Sequence, residues 1–161
     1  MKDTMKIEDK LEFSFDRGLP GEETLRIRGH VAFRLEHEDG TVEEWELDNT
    51  VTTAGKNGLA DQILASPTLG KPTHMAIGTG TPGASALGTE LDRNALDNKT
   101  RSGAVITFTA TWAAGDGTGT LTEAGIFDAA AAGNMWCSTS FAAKPKAAGD
   151  TLSATWTFTV G

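Results

Sequence analysis

The closing stretch of the chain, Leu152 to Val160, alternates strictly between two kinds of side chain. Leu152, Ala154, Trp156, Phe158 and Val160 hold one parity, and Ser153, Thr155, Thr157 and Thr159 hold the other. Successive side chains of an extended strand point to opposite faces, so the pattern predicts a strand with an apolar face on a core and a hydroxyl face turned outward. A helix would distribute both kinds around its circumference. The same period recurs upstream, where Ile106, Phe108, Ala110 and Trp112 alternate with Thr107, Thr109 and Thr111. A chain with two such segments is constrained to an antiparallel sheet with one buried face.

Other segments extend this reading. Ile27, Gly29, Val31, Phe33 and Leu35 alternate with Arg28, His30, Ala32, Arg34 and Glu36. Asp39-Gly40, a strong hairpin signal, follows. Val42, Trp45 and Leu47 then return among Glu43, Glu44, Glu46 and Asp48, so residues 25–48 read as an acidic β-hairpin. Leu11, Phe13 and Phe15 predict a further short strand, and His74–Ile77, Leu121–Phe127 and Met135–Phe141 are three more. The one good helix is Thr53–Ala65, with Thr52 or Thr53 as N-cap and Leu59, Ile63 and Leu64 as a narrow apolar stripe. Gly55 and Gly58 should weaken it by roughly 1 kcal/mol each relative to alanine. The expected fold is mainly β, an antiparallel β-sandwich of about eight strands with one short α-helix. An N-terminal arm, 1–24, precedes a single domain, 25–161, whose main strands occupy 73–160.

Composition narrows the function. The 161 residues suit one domain with an arm. The net charge is −8, and nearly all of it lies early: 15 acids and 8 bases stand up to Ser66, against 7 and 6 from Pro67 on. Such a chain is repelled by phosphate, which argues against nucleic acid and anionic membrane as partners. One cysteine, Cys137, forbids an intrachain disulfide. No apolar run approaches ~18 residues, and the first residues lack the apolar stretch of a secretory signal.

Candidate chemistry is sparse. Gly78-Thr-Gly80-Thr-Pro82-Gly83 has the glycines of a phosphate loop but lacks its Lys-Ser/Thr pair, so a turn between strands is the better reading. Cys137 as a nucleophile would need His30, His37 or His74 beside it, and its neighbours Trp136 and Phe141 suggest a buried thiol instead. Glu36, Glu38, Asp39, Glu43, Glu44, Glu46 and Asp48 could offer oxygens to calcium but also fit a solvated sheet face. Asp116-Gly117-Thr118-Gly119 reads as a turn. A glycan hydrolase would need two of Asp97, Asp116, Glu123 and Asp128 to face a cleft, roughly 5–9.5 Å apart, and nothing in the sequence pairs them. No catalytic residue, cofactor or metal is therefore expected. A carbohydrate-binding module is the alternative; it would use Trp45 and Trp136 as platforms, because Trp112 and Trp156 lie on apolar faces.

Several phrases occur in a characteristic order. They are Asn49-Thr-Val51 with Gly55-Lys-Asn-Gly58-Leu-Ala, His74-Met-Ala-Ile-Gly-Thr-Gly80, and Ala86-Leu-Gly-Thr-Glu-Leu91-x-Arg93. Leu121-Thr-Glu-Ala-Gly-Ile-Phe127, Gly133-Asn-Met135 and Asp150-Thr-Leu-x-Ala-Thr-Trp156-Thr-Phe158 follow. Over residues 49–160 this series resembles a family of small structural proteins of tailed bacteriophages, often labelled tail-fibre or minor virion proteins. The same kind of β-domain can decorate a capsid. The resemblance implies a non-enzymatic virion component, made in the host bacterial cytoplasm. It implies a trimer or hexamer docked on tail or baseplate proteins, or on the major capsid protein. The acidic hairpin or the N-terminal arm is then expected to make the contacts between proteins.

Overall fold

A computed structural model describes residues 26–161. The strand expected at Leu11–Phe15 and the arm 1–24 lie outside the described residues. Within them, nine antiparallel strands and one helix follow the order β1 (Ile27–Glu36), β2 (Val42–Val51), α1 (Thr53–Asp61), β3 (His74–Gly78), β4 (Glu90–Ala95), β5 (Asn98–Ser102), β6 (Val105–Trp112), β7 (Gly119–Phe127), β8 (Met135–Lys146) and β9 (Thr151–Val160). The mainly β, antiparallel architecture with one short helix is as expected, and the layers belong to one curled sheet ordered β4-β3-β7-β8-β2-β1-β9-β6-β5.

Two creases curl the sheet. β2 pairs with β1 from Asn49 to Val42, but with β8 only at Thr50 and Val51. At the far side, β4 passes to β5 through Leu96 and Asp97. The Leu96 N–H donates to Thr73 O at 2.9 Å and the Asp97 N–H to Thr109 O at 2.8 Å, so consecutive amides serve opposite halves. The core lies between these halves. Val31, Phe33, Leu35, Phe108, Trp112 and Trp156 come from one, and Met75, Ile77, Leu121, Ile126 and Trp136 from the other.

The hairpin forms as the alternation predicts, and its turn is a three-residue loop with a bulge. The Gly40 N–H donates to His37 O and the His37 N–H to Thr41 O, with Gly40 at φ +84°. Glycine is needed there because other residues rarely take positive φ. Asp39 accepts from the backbone N–H and the hydroxyl of Thr41, which fixes the loop and holds its carboxyl below the ordinary value.

The helix departs from expectation. It ends at Asp61, not Ala65, and of the predicted stripe only Leu59 packs against the core: Ile63 and Leu64 are 84 % and 59 % exposed. Its buried positions are Gly55 and Gly58. A β-carbon on Gly55 would stand 2.1 Å from Trp136 O, and one on Gly58 2.4 Å from the Trp136 indole. The glycines that weaken the isolated helix are what let it lie against β8. Thr52 is the N-cap, accepting from the Gly55 N–H at 3.0 Å. Gly55→Ala, which would stabilise an exposed helix, is expected to cost about 1–3 kcal/mol here because the obstacle is backbone. A urea titration showing a neutral or stabilising change would contradict this packing.

Candidate docking site

Most groups singled out for chemistry have a structural partner, and Asp116 sits in a turn closed by its own N–H donating to Ala113 O at 3.1 Å. Cys137 is fully buried, and desolvation pushes its thiol well above the ordinary value, away from the reactive thiolate. His30 meets Asp48 and Glu46, His74 meets the Thr73 hydroxyl, and His37 meets Asp150 and Glu43. Asp97 accepts from the Thr111 hydroxyl at 2.7 Å, and Asp128 accepts from the Asn134 backbone N–H and side-chain amide. The acidic residues of the hairpin do not converge. Glu36 pairs with Arg34 at 2.6 Å and Asp39 caps its own turn, and no group of three or more metal-ligating side chains gathers among the described residues.

The glycine loop after β3 is explained by Glu123, a residue whose role the strand reading missed. This carboxylate is fully buried on the outer face of β7. Oε1 accepts from the N–H groups of Gly80 (2.9 Å) and Thr89 (2.7 Å), and Oε2 from Gly88 (2.8 Å). Of the glycine loop's amides, that of Gly80 is taken by the chain's own anion, while those of Thr79 and Gly83 donate to Thr89 O and Ala86 O. Gly78, Gly80 and Gly88 admit this clasp, since a β-carbon on any of them would come within 2.6 Å of the clasp's own atoms. The only sequence signal was an isolated acid within the apolar run Leu121–Phe127.

Beside the clasp, Arg93 covers the Phe127 ring at 3.6 Å and forks onto Glu90. Its other arm donates to Ala129 O and Ala132 O. Leu87, Ala76, Phe127 and Met135 form a second small core here. The outer face of the β4-β3-β7-β8 half is therefore covered by the protein's own loops.

The outer face of the other half is open. Across β2, β1, β9, β6 and β5, one row reads Glu46, Ala32, Thr155, Thr109, Asn98 and the next Asp48, His30, Thr157, Thr107, Thr100. This is a broad hydroxyl surface with carboxylates (Glu44, Glu46 and Asp48) along its β2 edge and Arg28 and Arg34 on β1. A shallow trough of about 480 Å³ is centred on Ala32. Trp45, proposed as a glycan platform, turns its ring to the opposite, core side, stacked on Phe33 at 5.1 Å with Phe141 beside it. Trp136, the other platform, is only 5 % exposed beneath α1. No pair of open aromatic faces results.

The two ends of the sheet differ. At the hairpin end, His37 Nδ1 lies 2.9 Å from Asp150 and Nε2 3.3 Å from Glu43, while Lys144 reaches Glu43 at 2.8 Å. Lys146, 2 % exposed, donates to Asp150 O and Ala113 O, and burial lowers its pKa. The hydrogen bond that His37 donates to Asp150 raises His37; the Ala147 N–H and His37 lower Asp150; Lys144 and His37 lower Glu43. A raised histidine stabilises the fold fully below its unfolded value, 6.5, and that contribution fades as pH rises through the folded value. The lowered carboxylates contribute above 4.5 and lose their contribution on acidification. The contact is therefore strongest between these two values. Wild type should unfold at lower urea at about pH 8.5 than at about pH 6, and His37→Asn should flatten that difference. Equal slopes in the two proteins would refute the assignment.

At the opposite end a groove of about 580 Å³ opens between α1, residues 71–72 and β5. Leu59, Ile106, Phe108, Trp136 and Phe158 form an apolar floor, and Lys71, Lys99 and Arg101 form a basic rim. Comparison with family models, with curated proteins and with solved structures gave no match.

Proposed function

We propose that the protein is a non-enzymatic structural component of a tailed-bacteriophage particle, oligomeric as a trimer or hexamer and docked on other virion proteins of the tail or of the capsid surface. One observation carries the reading. Phrases dispersed from residue 49 to 158 meet in a few joints of the fold: Gly55 and Gly58 on Trp136; Gly78, Gly80 and Gly88 around Glu123; Arg93 on Phe127. Most residues of these joints belong to the phrases that carry the resemblance, and that shared structural role supports the reading. The open hydroxyl face supplies a flat surface of the kind that packs on a neighbour, and its carboxylate border favours a partner with basic groups.

The test is location on intact particles, by antibody-gold labelling in the electron microscope together with copy number per virion. Label over the head in hundreds of copies makes the protein a capsid decorator, and label at the tail in multiples of three or six makes it a tail or fibre part. Absence of label from every particle overturns the proposal. Thr155→Arg, at the centre of the open face, should reduce incorporation into particles while leaving the urea midpoint unchanged.

A further inference from the structure

We propose that the groove between α1 and β5 is the seat of the chain's own N-terminal segment, with Leu11, Phe13 and Phe15 on its apolar floor. Three features converge on this occupant. The first is position. The described chain enters at Arg26, paired with Gly161 by N–H···O contacts of 2.8 and 2.9 Å. Ile27, the next residue, lines a small apolar hollow that shares Leu59, Ile106, Trp136 and Phe158 with the groove. The described chain therefore begins beside the groove. The stretch 16–25 spans up to about 33 Å when extended, ample for residues 11–15 to fold back onto it.

The second feature is pattern. Leu11, Phe13 and Phe15 present one apolar parity, and the floor offers aromatic and aliphatic side chains in return. Among the described strands only β6 pairs with β5, so the other edge of β5 has open backbone donors and acceptors beside the groove. An extended segment can use such an edge while its alternate side chains fill the pocket. The third is charge. Residues 8–16 carry Glu8, Asp9, Glu12 and Asp16 against Lys10 alone. The rim they would meet is Lys71, Lys99 and Arg101, a basic cluster on a chain of net charge −8. An unrelated partner would need to supply both properties; the tethered segment brings them at high effective concentration.

Hydrogen exchange on the full-length protein tests this. In wild type, amides of residues 11–15 and 98–102 should be protected, and protection should persist on about fifty-fold dilution because the contact is within one chain. Phe13→Asp with Phe15→Asp should speed exchange at both segments about tenfold or more, leaving β1 and β7 unchanged as internal evidence of folding. Lys99→Glu with Arg101→Glu should do the same through the rim. Unprotected residues 11–15 in wild type, or exchange at 98–102 that neither double variant alters, would overturn the proposal. Protection that vanishes on dilution would overturn it too, assigning the groove to a second copy.

Discussion

Replacing Trp156 by alanine is expected to lower the free energy of unfolding by about 3–5 kcal/mol. The indole is fully buried, in register with Val31 of β1 on one side and Phe108 of β6 on the other. Its removal leaves a cavity in the centre of the larger half-sheet, where neighbouring strands hold their backbone fixed and cannot collapse inward. Trp156→Phe should cost much less than the alanine change. It keeps an aromatic ring and discards the indole N–H, which is buried with no hydrogen-bond partner among the described residues. Urea unfolding of the two variants gives both numbers. An alanine variant losing under ~1 kcal/mol would mean that Trp156 faces away from the core.

Glu123→Ala is expected to be comparably severe, about 3–5 kcal/mol, for a different reason. The alanine leaves the N–H groups of Gly80, Gly88 and Thr89 facing a site with no acceptor. The loop 79–89 would have to open to hydrate them, and Leu87 would leave the small core it shares with Ala76, Phe127 and Met135. Glu123→Gln should fall between, since one oxygen can still serve Gly80 and Thr89 while the amide nitrogen meets the Gly88 N–H as a second donor. Amide exchange at those three positions, read beside the urea midpoint, separates loop opening from global loss. Unchanged exchange at all three in the alanine variant would refute the clasp.

What could be read in the sequence was what depends on period. The hairpin, β6 and β9 each have one buried and one open face, and a strand half in water leaves an alternating record. β4 (ELDRNA) and β5 (NKTRS) left none, because they line the second crease and bury no apolar side chain; the one buried side chain they hold is that of Arg93, packed on Phe127. Leu91, the one large apolar residue among them, is 40 % exposed. Gly55 and Gly58 were legible as helix weakeners but not as contacts, because the absence of a side chain records nothing about what fills the space. Ile63 and Leu64 extended an apparent stripe past the true end of α1. Glu123 was visible only as an acid out of place in an apolar strand, and its three partners lie in a loop more than thirty residues earlier.

The position of β9 has a consequence for how the protein is made. The last strand lies between β1 and β6 in the middle of the sheet, so the first and last described strands are neighbours. During synthesis β1 and β2 emerge early, but β1 has no second partner until residues 151–160 leave the ribosome. Until then the apolar faces of Val31, Phe33 and Leu35 must be shielded by something else. A chain interrupted before residue 151 would lack the strand joining two thirds of the described sheet to the rest, and the cell would face an aggregation-prone remnant, not a shortened protein.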